Sequence, residues 1–217
     1  MTPLARRARA VLLLSLVVFA LLATAALLVP THAFELTLRH ALVRLDDNGA
    51  LGTFLRTIDH AGTWRVILPG TLIVFAAFPH ARAHWWMWTV ALLAAPAAET
   101  FFKFVIGRPR PEDLSMGFPS GHATAAAAFF GAVIYLAAPL PARRRRAVRL
   151  LAVACIVLVG IARVALRAHW PTDAVAGIAL GLVLASAAYV LADLRWRPPS
   201  HPEFPTRAAP EPTRPPS

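Results

Sequence analysis

The sequence predicts an all-α polytopic membrane protein, a bundle of six transmembrane helices, and three observations carry that prediction. Of its residues, 58% are hydrophobic and only 15% charged, with a mean hydropathy of +0.59, too apolar for an ordinary water-soluble domain. Six apolar segments approach the ~20 helical residues that a hydrocarbon core of roughly 30 Å requires. The basic residues behind the net charge of +11 lie between those segments, where membrane topology accounts for them. They form no stripe beside aromatic residues, so nucleic acid is not an expected partner.

In chain order the segments are 11–29, 64–78, 85–102, 123–138, 150–166 and 174–191. The first follows Arg6, Arg7 and Arg9 and precedes Thr31 to Ala33, a pattern that imitates a secretory signal and its cleavage site. Its apolar run exceeds the ~7 to 15 residues of a signal core, so a retained helix is expected. Pro69 and Gly70 are expected to interrupt the second segment.

With the N-terminus in the cytoplasm, Arg6, Arg7, Arg9, Arg82, Arg143 to Arg146, Arg149, Arg195 and Arg197 all fall on the inner side, as the positive-inside rule requires. Residues 34–63 then lie outside. They mix Glu35, Asp46, Asp47 and Asp59 with Arg39, Arg44 and Arg56, as expected of an interfacial helix or cap. Trp64, Trp85, Trp86, Trp88 and Trp170 fall near the expected interfaces, where indole is favoured. Beyond Arg197 the chain is too rich in proline to bury a core. The expected organisation is therefore a six-helix domain over 1–196 and a disordered cytoplasmic tail over 197–217. The single cysteine, Cys155, excludes an intrachain disulfide and reads as a small hydrophobe within the fifth segment.

The remaining polar residues gather in three clusters, and this topology puts all three at outer helix ends. Lys103, Arg108 and Arg110 follow the third segment, with Pro109 and Pro111 ending helical structure. Guanidinium presents a fork that matches two phosphate oxygens, and lysine adds a compact charge, so this group suits an anion. For Lys103 alone, snorkelling to the lipid headgroups is an equally good account.

Pro119, Ser120, Gly121 and His122 open the fourth segment. Ser120 suits the N-cap, Gly121 allows a ligand close to the backbone, and the free N–H groups of the helix end favour an anion. His122 can donate a proton to a leaving oxygen, although alone it reads as an interfacial residue.

Arg163, His169 and Asp173 join the fifth and sixth segments. Pro171 fits the first turn of the last helix, which places Asp173 one turn below His169. A carboxylate there can accept the N–H of one imidazole nitrogen and leave the other free to attack. Taken singly, a His and Asp at this spacing also describe a simple interfacial hydrogen bond.

Together the clusters resemble the three-part signature of the type 2 phosphatidic acid phosphatase superfamily, whose relatives include vanadium haloperoxidases and glucose-6-phosphatase. The pattern K-x6-R-P is Lys103, Arg110 and Pro111; P-S-G-H is Pro119 to His122; R-x5-H-x3-D is Arg163, His169 and Asp173. One departure is Ala162, where the family often has serine before the arginine.

The resemblance implies two-step phosphoryl transfer without metal or cofactor. His169 is the implied nucleophile and Asp173 orients it. His122 is the implied acid and base, while Lys103, Arg110, Ser120, Gly121 and Arg163 hold the phosphate oxygens. The implied partners are a lipid phosphate, such as phosphatidic acid, phosphatidylglycerol phosphate or undecaprenyl diphosphate, and the surrounding membrane lipids. The arginine-rich, alanine-rich composition points to a bacterial inner membrane, with the active site at the extracytoplasmic helix ends. Neither the lipid tail nor the oligomeric state is encoded in these motifs.

Arg108 and Arg167 fall outside the signature and are expected to contact headgroups, and Glu99 is expected to pair with Lys103 one turn away. Two other functions use parts of the same pattern. A vanadate-dependent haloperoxidase would share the anion pocket but is typically soluble, and a phospholipid carrier would need the cations but no positioned nucleophile.

Overall fold

In a computed structural model of the chain, the residues described are 2–29, 33–47, 49–83 and 85–195, apart from the side chains at 80, 83, 86, 87 and 195. They form α1 (Pro3–Leu28), α2 (Ala33–Val43), α3 (Gly49–Asp59), a 3-10 turn (His60–Gly62), α4 (Trp64–Ala77), α5 (Pro79–Ala83), α6 (Trp85–Ile106), α7 (Gly121–Leu136), α8 (Ala142–Ala165) and α9 (Pro171–Arg195). No β-strand occurs among the described residues, only one isolated bridge between Pro109 and Met116. The proline-rich tail over 197–217, Arg197, Thr31 of the signal-like pattern and the side chains of Trp86 and Arg195 lie outside the described residues.

Each of the six apolar segments falls on one helix. Four helices, α1, α6, α8 and α9, are long and apolar enough to cross a membrane; α4 and α7 are apolar but shorter, at 14 and 16 residues. At 1.5 Å per residue those two extend ~21 and ~24 Å. The interruption expected at Pro69 does not occur: α4 runs through it unbroken, and the absent side chain of Gly70 admits the Phe129 ring of α7. Apolar surroundings favour the continuous helix, because every broken backbone hydrogen bond would be left without water.

The centre of the bundle is the seam between α7 and α9. Gly177 and Gly181 lie so close to the backbone of α7 that a Cβ at either would collide with Ser120, Thr124, Ala127 or Ala128. Small residues substitute close backbone approach for the hydrophobic drive that lipid cannot supply. Further along the seam, the hydroxyls of Tyr135 and Ser186 share a hydrogen bond of 2.7 Å. Its most consequential contact is at the helix starts, where the N–H of Ser120 donates to the carbonyl of Asp173 at 3.0 Å.

α1 runs antiparallel to α9, with Thr2 donating to Asp193 and Phe19 packed on Phe102 and Phe118. At the end of the bundle that holds the start of α1, Arg82 donates to Phe75 and Ala76, while Arg145 and Arg149 donate to carbonyls between Ile134 and Leu140. Trp88 belongs there too, but at 4% exposure it is a core residue packed with Ala8, Tyr135 and Leu136 and not an interfacial anchor. Trp64 and Trp85 are exposed as expected.

At the opposite end, α2, α3 and the 3-10 turn form the expected cap. Leu55 of α3 is buried against Ala162, Ala165 and Leu166 at the end of α8. Ala162, the departure from the family pattern, is fully buried in this contact, so its small size serves packing.

Candidate active site

All three motif clusters meet beneath the cap, because the C-termini of α6 and α8 and the N-termini of α7 and α9 share one end of the bundle. The Ser120 to Asp173 backbone bond joins the second motif to the third. The loop between α6 and α7 folds back on itself, with Gly117 donating to the carbonyl of Arg108 and Arg110 donating to that of Ser115, and so returns the first motif to the second.

His169 is 1% exposed and lies between α8 and α9, its backbone N–H bonded to the carbonyl of Arg163 at 3.2 Å. Its Nδ1 is 3.6 Å from Oδ2 of Asp173 and has no hydrogen-bond partner among the described residues. At this separation the two are electrostatic neighbours, just beyond hydrogen-bond length. Burial holds the imidazole pKa below the usual histidine value. Asp173 opposes that shift, while Arg163 and Arg110 add to it. The lowered pKa favours the neutral ring, the form that can act as a nucleophile.

His122 occupies the first turn of α7 with its side chain 36% exposed, and its Nε2 is 3.9 Å from Oδ2 of Asp59. Its titratable neighbours are Arg163, Asp59, His169 and Glu99, which puts both imidazoles at one site. Ser120 stands at the N-cap position with extended backbone, yet its hydroxyl does not cap the helix: Oγ is buried and has no partner among the described residues. The Nε atoms of Arg110 and Arg163 are likewise buried and without partners there. Unpaired donors of this kind, close to a helix N-terminus, have the chemistry that an oxyanion accepts from.

Three carboxylates moderate that positive charge. Lys103 is bonded to Glu99 at 2.5 Å, the pairing expected from their spacing, and the same carboxylate lies against Gly121 at the start of α7. Arg163 donates to Asp59 at 2.9 Å, so Asp59 links the third motif to the neighbourhood of His122. Arg110 has Asp113 at a looser 4.0 Å.

One arginine expectation is corrected. Arg108 does not face headgroups; it is 3% exposed and donates to Thr172 at 2.7 Å, Asp173 at 2.7 Å and Glu35 at 2.6 Å. Arg167 adopts a positive φ of 62° and pairs with Asp46, Asp47 and Glu112 of the cap and loop. Glu35, Asp59 and Thr172 carried no distinguishing sequence signal, since each meets its site partner across a long stretch of chain.

Comparison with known proteins decides the family. The PAP2 superfamily model matches residues 112–197, a span that holds the second and third motifs. Phosphatidylglycerophosphatase B of Bacillus subtilis (strain 168) is 30% identical over 145 residues, covering 62% of this chain and 71% of that protein. The chain belongs to the PAP2 superfamily. Lipid A 1-phosphatase of Rhizobium etli is 36% identical over 95 residues, 36% of this chain and 38% of that protein. The crystal structure of a transmembrane PAP2 type phosphatidylglycerolphosphate phosphatase from Bacillus subtilis matches with a TM-score of 0.71 and 25% identity, covering 86% of this chain and 98% of that one. The chain is thus an all-helical integral membrane protein of a PAP2 family whose members here are phosphatases.

Proposed function

We propose that this PAP2 protein is a metal-independent lipid phosphatase that hydrolyses a phosphomonoester or diphosphate through a phosphohistidine on His169. The observation that carries the reading is the setting of His169: a buried imidazole with Asp173 at 3.6 Å on Nδ1 and Arg163 and Arg110 as neighbouring cations.

In the first step the nitrogen of His169 turned away from Asp173 attacks phosphorus. The bond from phosphorus to the lipid-side oxygen breaks, and His122 gives that oxygen a proton. Asp173 stabilises the positive ring, and the contact on Nδ1 shortens as charge develops there, since catalytic hydrogen bonds tighten toward the transition state. In the second step His122 takes a proton from water, water attacks phosphorus, and the bond to His169 breaks to release inorganic phosphate. Lys103, Arg110, Arg163, Ser120 and the N–H of Gly121 hold the equatorial oxygens. These cations supply the electrostatic stabilisation that a metal ion supplies in other phosphatases.

In this reading all six apolar helices cross the bilayer within residues 1–196, and 197–217 forms a cytoplasmic tail. The arginine-rich end faces the cytoplasm and the motif end faces outward, in a bacterial inner membrane. The shortness of α4 and α7 is consistent with a locally thinned bilayer. The relatives that act on phosphatidylglycerophosphate and on lipid A support an amphiphilic substrate whose tail stays in the membrane.

The test is phosphate release by detergent-purified protein from phosphatidic acid, phosphatidylglycerol phosphate and undecaprenyl diphosphate in the presence of chelator. Release is expected from at least one, with His169→Ala folded and inactive. Activity that chelator abolishes and metal restores would contradict the mechanism.

A further inference from the structure

We infer that Arg108 and Glu35 are positioning residues for the nucleophile, a buried clamp that fixes the Asp173 carboxylate and sets the net charge behind His169. The inference rests on His169 attacking phosphorus.

The clamp is buried. The side chains of Arg108, Glu35 and Asp173 are 1%, 0% and 0% exposed. One guanidinium nitrogen donates to Oδ1 of Asp173 and to Thr172 Oγ1, each at 2.7 Å, and the other donates to Oε2 of Glu35 at 2.6 Å. Thr172 closes the ring by donating its hydroxyl to Oε1 of Glu35 at 2.5 Å, and its backbone N–H reaches the same oxygen at 3.3 Å. Glu35, from the cap helix α2, thereby satisfies an orphan donor in the first turn of α9. The guanidinium also lies over the Trp170 ring at 5.5 Å, and the indole N–H is tied to the carbonyl of Pro109 at 3.1 Å.

Two consequences follow for His169. Asp173 has Oδ1 taken by Arg108 and Oδ2 taken by the N–H of Trp170 at 3.1 Å, so its plane cannot turn, and Oδ2 stays directed at Nδ1 of the imidazole. The second consequence is electrostatic. Arg108 holds two buried carboxylates, Glu35 and Asp173, behind a ring that becomes cationic as the phosphorus bond forms. Deleting the charge on Glu35 makes those surroundings less negative and so less favourable to the cationic ring. Neither Arg108 nor Glu35 is in the anion cup, so the clamp acts on the chemical step and not on substrate binding.

The test is steady-state hydrolysis of phosphatidic acid in detergent micelles by the full chain and by Glu35→Gln, Thr172→Val and His169→Ala, with thermal unfolding of each. Glu35→Gln keeps the shape and an acceptor oxygen but deletes the charge, and it is expected to lower kcat about tenfold with KM within about twofold. Thr172→Val keeps the charges and loosens only the ring of bonds, and it is expected to lower kcat less. Wild-type kcat in both folded variants, a raised KM with unchanged kcat, or loss of the folded protein in both would overturn the assignment. Activity in His169→Ala would instead remove the nucleophile reading on which the clamp depends. An inactive His169→Ala beside fully active Glu35→Gln and Thr172→Val would remove the clamp alone.

Discussion

Ser120 and Asp173 are joined through the main chain, the N–H of one bonded to the carbonyl of the other at 3.0 Å, although they stand 53 positions apart. That bond aligns two helix starts, so the Ser120 hydroxyl and the His169 ring are set by the same seam. Site geometry therefore depends on how closely α7 and α9 approach.

Gly177→Val is the direct probe of that seam, because its side chain would meet the backbone of α7 around Ser120 and Thr124. Overpacking of this kind costs ~1–3 kcal/mol. The expected result is a lowered unfolding midpoint in detergent together with at least tenfold slower phosphate release. Val175→Leu, at a position 48% exposed to the surroundings of the bundle, is expected to change neither.

Much of this arrangement was legible in the sequence. The apolar segments located six helices to within a few residues at most ends, and the three motifs were rightly placed at one end. Local signals sufficed because apolar length and helix-terminating prolines act over short stretches. The Glu35 to Arg108 pair was not legible: its members are 73 residues apart, and Glu35 sits among exposed charges that share its composition. Arg108, like Arg110, is an arginine followed by proline, and only the cap folding over α9 shows that Arg108 is the one buried on Glu35 and Asp173. Pro69 misled for a related reason, since its effect on α4 is decided by surroundings and not by the residue itself.

Arg110 and Arg163 each bring a buried Nε without a partner among the described residues. Truncating either to alanine is expected to reduce kcat/KM by about 10²–10³-fold, the cost of losing one oriented donor at an oxyanion. Lysine at the same positions is expected to recover only part of this, because it restores charge but not the planar fork. Initial rates over a substrate series would check both statements, and an alanine variant with wild-type kcat/KM would exclude that arginine from the cup.

Glu99 lies on Lys103 and against the start of α7, the place of the proposed phosphate site. Glu99→Gln removes that negative charge, so inorganic phosphate is expected to inhibit on the order of tenfold more tightly, a difference of ~1.4 kcal/mol. Inhibition constants measured at fixed pH would check this. Weaker inhibition by phosphate would show that the carboxylate supports anion binding by holding Lys103 in place.

The depressed pKa of His169 fixes the sign of the pH response. Attack requires the neutral ring, so kcat/KM is expected to hold as pH falls through 6.5, the ordinary histidine value, and to decline only below it. Asp173 raises the pKa of this ring, so Asp173→Asn is expected to move the acid limb to still lower pH while reducing kcat. A pH-rate series on both proteins would read the two limbs directly. An acid limb above that of free histidine would place a different group in control.

The central claim is that phosphorus becomes bonded to His169, and trapping that intermediate tests it most directly. Protein mixed with a radiolabelled lipid phosphate, quenched within the first turnover and digested under alkaline conditions, is expected to carry acid-labile label on the peptide containing His169. The labelled fraction is expected to rise in His122→Asn when a substrate with a good leaving group is used, because the second step then lacks its base. Label on another residue, or hydrolysis at full rate with no labelled protein at any time, would contradict the account.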